Sequence, residues 1–312
     1  MIVDGVTVVA GLILLTVAAD RLVLAAARLA RVFGLSPILI GAVVVGLGTS
    51  LPEMLVSGLA AGRPGGLDLA MGNIVGSNVA NLALVLGLSV VLSPIDDLKP
   101  VLKREGAVML AASVLVTVFA WDADLSRWEG GALLIALPAA LVLLVRWSRD
   151  GDPTVAAEID EMIDGDVRPG REIGFGVASL AVTLLGAQLL VTGAQAIAIG
   201  FGVSEAMIGL TLVAVGTSLP ELATAVAAAR RRENDIVLGN VLGSNMFNAL
   251  AVGGVAGTVG NGAFDTTFTG PLLAMLAVTI LTGALATVGR DRLARSEGVV
   301  LLLIYPIILM LI

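Results

Sequence analysis

Apolar positions run through this chain in long blocks, interrupted by short polar loops. A run of about 17 or more apolar residues is long enough to cross a bilayer core as a helix. On that measure the pattern predicts ten helices, at roughly 2–27, 36–62, 67–93, 104–121, 128–147, 172–200, 205–229, 235–260, 268–288 and 295–312. The first run carries Asp4 and no basic cluster, and it continues well past the apolar core of a signal peptide, so it is expected to remain as a membrane helix. Five helices fall in 1–147 and five in 172–312. Between them lies an acidic loop, 148–171, holding Asp150, Asp152, Glu158, Asp160, Glu161, Asp164 and Asp166. It is expected to be a solvated cytoplasmic linker, because Asp160 followed by Met162 and Ile163 lacks the alternating ligands of an EF-hand.

The polar positions inside the apolar runs are not scattered. Gly-Thr-Ser-Leu-Pro-Glu occurs at 48–53 and again at 216–221, and the match extends without gaps from Ile40 through Glu53 onto Ile208 through Glu221. A second block, Gly72-Asn73-Ile74-Val75-Gly76-Ser77-Asn78-Val79-Ala80-Asn81, returns as Gly239-Asn240-Val241-Leu242-Gly243-Ser244-Asn245-Met246-Phe247-Asn248. The chain is a tandem duplication. A carboxylate in the middle of a membrane helix costs roughly 2.5–3.5 kcal/mol or more, so a sequence that places one twice in the same frame points to function. Glu53 and Glu221 are the prime candidates.

Composition agrees with the pattern: 312 residues, 57% hydrophobic and 14% charged, with a mean hydropathy of +1.01, describe an all-α polytopic membrane protein with no separate soluble domain. There is no Cys and no His, which excludes disulfides, thiolate chemistry, imidazole metal ligands and histidine proton relays. Any metal here meets oxygen.

Pro52 and Pro220 each remove a backbone N–H and crowd the carbonyl four residues back, at Gly48 and Gly216, so both helices should break beside the frame and free carbonyl oxygens. Thr49 lies four residues and Ser50 three residues before Glu53, which puts hydroxyl and carboxylate on one side if the backbone stays helical. Ser77 with Asn81, and Ser244 with Asn248, repeat the four-residue spacing. Carboxylate, amide, hydroxyl and carbonyl oxygens together form the hard-ligand set that suits Ca²⁺ or Na⁺. A lone Gly-Thr-Ser run would ordinarily mark close helix packing only, and Asn73, Asn78, Asn240 and Asn245 serve equally well as interhelical glue.

Of the 18 basic residues, 15 fall in one set of loops and two, Arg63 and Arg127, in the alternate set, with Arg21 inside the first helix. The basic set belongs in the cytoplasm, which places both termini outside the cell membrane. Asp20 and Arg21 are expected to pair locally or to snorkel to the interface. Because each repeat has an odd number of helices, the second enters the membrane from the opposite side. Two inverted repeats related by an axis in the membrane plane are the architecture of alternating access, which favours a transporter over an enzyme.

These two blocks, present in both halves at the right separations, closely resemble the cation/Ca²⁺ exchanger superfamily, and most of all its prokaryotic Na⁺/Ca²⁺ exchangers, over essentially the whole chain. The resemblance implies a ten-helix antiporter moving three Na⁺ against one Ca²⁺, with no cofactor and no protein or nucleic-acid partner beyond the transported ions and the lipid bilayer. It further implies that Glu53 and Glu221, with the backbone oxygens of Thr49 and Thr217, bind Ca²⁺. Na⁺ would flank them near Gly46, Thr49, Ser50 and Ser77, and near Ala214, Thr217, Ser218 and Ser244, with Asn81 and Asn248 lining the middle. Two departures matter: the central pair is Asn81 and Asn248, where similar exchangers pair Asn with Asp, and Gly46 stands opposite Ala214. K⁺-dependent members resemble an Asp at the position of Asn248, so K⁺ coupling is not expected.

The nearest rival is a H⁺/Ca²⁺ antiporter. Proton-coupled members resemble a GNxxE pattern, whereas this chain reads Gly72 to Gly76 and Gly239 to Gly243 with glycine at the last place, and its hydroxyls Ser50, Ser77, Ser218 and Ser244 suit Na⁺. An intramembrane hydrolase with two carboxylates lacks a credible nucleophile or a histidine-held metal.

Overall fold

The computed structural model describes residues 2–149, 168–202, 214–288 and 291–310. The acidic residues 150–166 of the linker, residues 203–213 with the first part of the seventh predicted helix (205–213), and Arg290 lie outside them. Helices follow in the order α1 (Ile2–Phe33), α2 (Pro37–Thr49), α3 (Leu51–Ala61), α4 (Gly66–Leu92), α5 (98–119), α6 (Arg127–Arg149), α7 (Pro169–Gly200), α8 (Ala214–Thr217), α9 (Leu219–Arg230), α10 (Asn234–Gly260), α11 (Thr269–Val288) and α12 (Arg295–Leu309). Among the described residues, six helices are long and apolar enough to cross a membrane. The bent pair α2 and α3 makes a seventh. The chain is an all-α polytopic membrane protein, and each of the ten predicted segments is helical over its described part.

Without a hydrophobic force between helices in lipid, close backbone approach through small residues carries the packing. α1 and α7 show this. A side chain at Gly11 would meet Leu190 N at 2.5 Å, and one at Gly193 would meet Asp4 O at 2.9 Å, while Arg28 reaches Glu172 near the other end. Low numbers on α1 therefore face high numbers on α7, and the two helices run antiparallel. The middle of α10 is buried, and it passes against α2 at Gly41, Gly239 and Gly243.

Contacts between loops divide into two groups. In one, Asp96 pairs with Arg292 across a two-residue strand pair, Lys99 N donates to Asp291 Oδ1, Asn234 Nδ2 donates to Pro94 O, and Ser36 N donates to Ser148 Oγ. In the other, Asp124 and Leu125 pair with Ala263 and Gly262, Arg127 N donates to Asn261 Oδ1, and Asp265 N donates to Asp68 Oδ1. Each of these contacts joins loops that the hydrophobic pattern puts on the same side.

One sequence expectation is corrected. Asp20 and Arg21 do not pair with each other: successive helix residues point about 100° apart and do not face one another. Asp20 instead takes a two-pronged contact from Arg231 at 2.7 and 2.6 Å, and Arg21 reaches Glu172 at 2.7 Å. Both pairs tie α1 to the second half of the chain.

Candidate cation site

Both duplicated frames break where the prolines predict. Ser50 (φ −82°, ψ 3°) separates α2 from α3, with a bend of 45°, and Ser218 (φ −87°, ψ 4°) separates α8 from α9. Pro52 and Pro220 then sit in the first turn of the new helix, where a missing N–H is harmless. Glu53 and Glu221 follow immediately, both fully buried.

The break changes which groups meet. Ser50 Oγ donates to Glu221 Oε1 at 3.2 Å rather than to its own frame's Glu53, while Thr49 Oγ1 donates to Val45 O at 2.9 Å. Glu221 is thus attended by a hydroxyl of the opposite frame, because the spacing that would align Ser50 with Glu53 holds only in an unbroken helix. Among the described residues no third acidic, histidine or cysteine side chain joins Glu53 and Glu221.

Ser77, Asn81, Ser244 and Asn248 are all buried, and the turns that Asn81 and Asn248 open pack against α9 and α3 respectively. Ser77 Oγ sits 3.5 Å from Asn73 Oδ1, and Ser244 Oγ donates to the carbonyl of Gly46 at 3.3 Å, so Gly46 is matched with Ser244 across the two groups that the resemblance implied. Asn81 Nδ2 donates to Asn245 Oδ1 at 3.0 Å. Asn81 and Asn248 each open a π-helical turn, Asn81–Leu86 and Asn248–Val252, a wide-turn geometry that recurs at functional sites. The side chain of Ala214 is outside the described atoms.

Several buried polar atoms here have no hydrogen-bond partner among the described residues: both carboxylate oxygens of Glu53, Oε2 of Glu221, Oδ1 of Asn81, Oγ of Ser218 and both amide atoms of Asn248. Orphaned buried oxygens are rare in folded proteins because each forfeits its hydration. A centre with two carboxylates and free amide and hydroxyl oxygens is matched to a hard cation that would satisfy them.

The asparagines left open by the sequence separate into two kinds. Asn245 Nδ2 donates to Asn78 O at 3.2 Å and Asn78 Nδ2 reaches Met275 Sδ at 3.3 Å, so this pair is interhelical glue. Asn73 and Asn240 instead clamp the broken helices: Asn73 Nδ2 donates to Glu53 O and Ser57 Oγ (3.4 and 2.9 Å), and Asn240 Nδ2 donates to Glu221 O and Thr224 Oγ1 (3.2 and 3.0 Å). Ser57 and Thr224 were not singled out by sequence. Their signal was a hydroxyl one turn past each glutamate inside an apolar helix.

Comparison with known proteins adds to this geometry. The family model for the sodium/calcium exchanger protein matches residues 4–146 and 172–312. The CaxA protein of Alkalimonas amylolytica is 38% identical over 315 residues, covering 98% of this chain and 97% of that protein. The sodium/calcium exchanger MaX1 of Methanosarcina acetivorans is 32% identical over 335 residues, 95% of this chain and 94% of its own. Among solved structures, the sodium-calcium exchanger NCX_Mj soaked with 2.5 mM Na⁺ and 10 mM Sr²⁺ superposes with a TM-score of 0.85 at 32% identity, covering 98% of this chain and 97% of that one.

Proposed function

The chain belongs to the sodium/calcium exchanger protein family, and on that premise we propose that it exchanges Na⁺ for Ca²⁺ across the cell membrane by alternating access, electrogenically and without K⁺. The observation that carries this reading is the set of buried oxygens on Glu53, Glu221, Asn81, Asn248 and Ser218 that find no hydrogen-bond partner among the described residues. Glu53 and Glu221 neutralise Ca²⁺, and the hydroxyls and freed carbonyls of the two frames hold Na⁺ in its place. Residues 1–147 and 172–312 act as inverted halves joined by a cytoplasmic linker, with both termini outside. The antiparallel course of α1 and α7 and the same-side pairing of loops favour that arrangement.

Charge arithmetic favours exchange. Two carboxylates balance one Ca²⁺, whereas three Na⁺ exceed them by one charge, so the ions compete for one pocket and the cycle carries one net positive charge inward per Ca²⁺ expelled. That charge contributes about 2.3 kcal/mol per 100 mV of membrane potential.

Asn248 sets the expectation for K⁺. A neutral amide offers one acceptor oxygen and two N–H donors, and it cannot balance a further monovalent cation. Ca²⁺ uptake with all K⁺ replaced by choline is expected to match uptake with K⁺ present. Asn248→Asp adds a third acid beside Glu53 and Glu221, and is expected to make uptake more sensitive to acid, because one of three crowded carboxylates binds a proton more readily. A strict K⁺ requirement in the unmodified protein would show that the charge at this site has been miscounted.

A further inference from the structure

Away from the carboxylates, the surface where α1 and α7 meet carries an open groove of about 310 Å³. Its walls are apolar, with Ile13, Val17 and Ala18 from α1 and Ala178 and Val182 from α7, and it ends at Arg21. From Ile13 to Arg21 it runs about 12 Å along α1 at 1.5 Å per residue. It lies on two helices that each have the length and composition of a membrane span, and its wall residue Val17 is 65% exposed. The groove therefore faces lipid.

The end at Arg21 is cationic and under-satisfied. Arg21 Nη2 and Arg28 Nη1 share the single carboxylate of Glu172, at 2.7 and 2.9 Å, so two positive charges meet one negative. Arg21 Nη1 is buried and finds no acceptor among the described residues, and neither does Arg28 Nε. The Arg21 guanidinium lies over the Phe175 ring at 4.2 Å, and Arg171 approaches the same ring at 5.2 Å, so a second cation contacts this aromatic group. Asp20, the other nearby acid, is occupied by Arg231.

We propose that this groove is a binding site for an anionic phospholipid, with one acyl chain along the α1–α7 groove and the phosphate against Arg21 and Arg171. The apolar wall offers an acyl chain about 12 Å of hydrocarbon contact, the length of α1 from Ile13 to Arg21 at 1.5 Å per residue. The excess positive charge at its end selects a headgroup with net negative charge over a zwitterionic one, as basic pockets between membrane helices do on the cytoplasmic side. This site is independent of the cation centre. Because it spans the two helices that join the halves, its occupant would brace α1 against α7.

The test is native mass spectrometry of delipidated, detergent-solubilised protein titrated with phosphatidylglycerol or phosphatidylcholine of matched chains. One phosphatidylglycerol is expected to bind at least tenfold more tightly than phosphatidylcholine. Arg171→Gln removes the second cation without touching the Glu172 pair and is expected to erase most of that preference. Ala178→Trp fills the groove from its exposed wall, leaves every arginine in place, and is expected to weaken binding of both lipids at this site. Equal affinity for the two headgroups in the unmodified protein, or a preference that survives both substitutions in protein of normal melting temperature, would overturn the proposal.

Discussion

Glu53→Gln and Glu221→Gln are each expected to reduce Ca²⁺ transport by two orders of magnitude or more while leaving the protein folded in the membrane. Glutamine keeps the shape and one oxygen but removes the charge, and a hundredfold loss of affinity corresponds to about 2.7 kcal/mol. Both carboxylates are buried, and a buried charge without a partner is costly, so neutralising one removes a desolvation cost in the ion-free protein. The melting temperature without ions should therefore hold or rise, while the added stability that Ca²⁺ gives the unmodified protein should vanish. Near-normal Ca²⁺ flux in either variant would remove that carboxylate from the site.

Gly243→Val is expected to cut the yield of folded protein and, in what remains, to lower Ca²⁺ uptake tenfold or more. A side chain here would start 2.5 Å from Ala42 Cα and 2.8 Å from Ala42 O, and backbone cannot yield as a flexible side chain does. Overpacking at a crossing costs about 1–3 kcal/mol or more. Its relief is to push α10 off α2, which carries Ser244 away from the Gly46 carbonyl it now meets at 3.3 Å. Gly283→Ala on α11, where nothing described lies within 4 Å of the added methyl, is the matched control and should behave as the unmodified protein. Unchanged melting and uptake in Gly243→Val would mean that α2 and α10 do not cross this closely.

Much of this was legible in the sequence, for identifiable reasons. Hydrophobic runs located the helices because the lipid core sets a minimum length, and Pro52 and Pro220 located the breaks because a missing N–H cannot be hidden mid-helix. Duplication brought Glu53 and Glu221 forward. Partner choice was not legible: Ser50 serves Glu221 rather than Glu53, since the break at Ser50 rotates the frame away from helical spacing. The pairing of Asp20 with Arg231 and of Arg21 with Glu172 needed the fold, because these partners lie 211 and 151 residues apart. The π-helical turns at Asn81 and Asn248 left no compositional trace, as they occupy ordinary apolar sequence after the asparagine.

The central claim is that Na⁺, bound in place of Ca²⁺ at Glu53 and Glu221, drives the exchange. Purified protein reconstituted into vesicles loaded with Na⁺ and diluted into Na⁺-free medium should take up ⁴⁵Ca²⁺, and faster when the interior is held positive, because three Na⁺ leaving for each Ca²⁺ entering remove one positive charge from the vesicle. A pH gradient in place of the Na⁺ gradient should give no uptake above ion-free controls. Uptake driven equally by the pH gradient with Na⁺ absent would contradict the account and assign the coupling to protons.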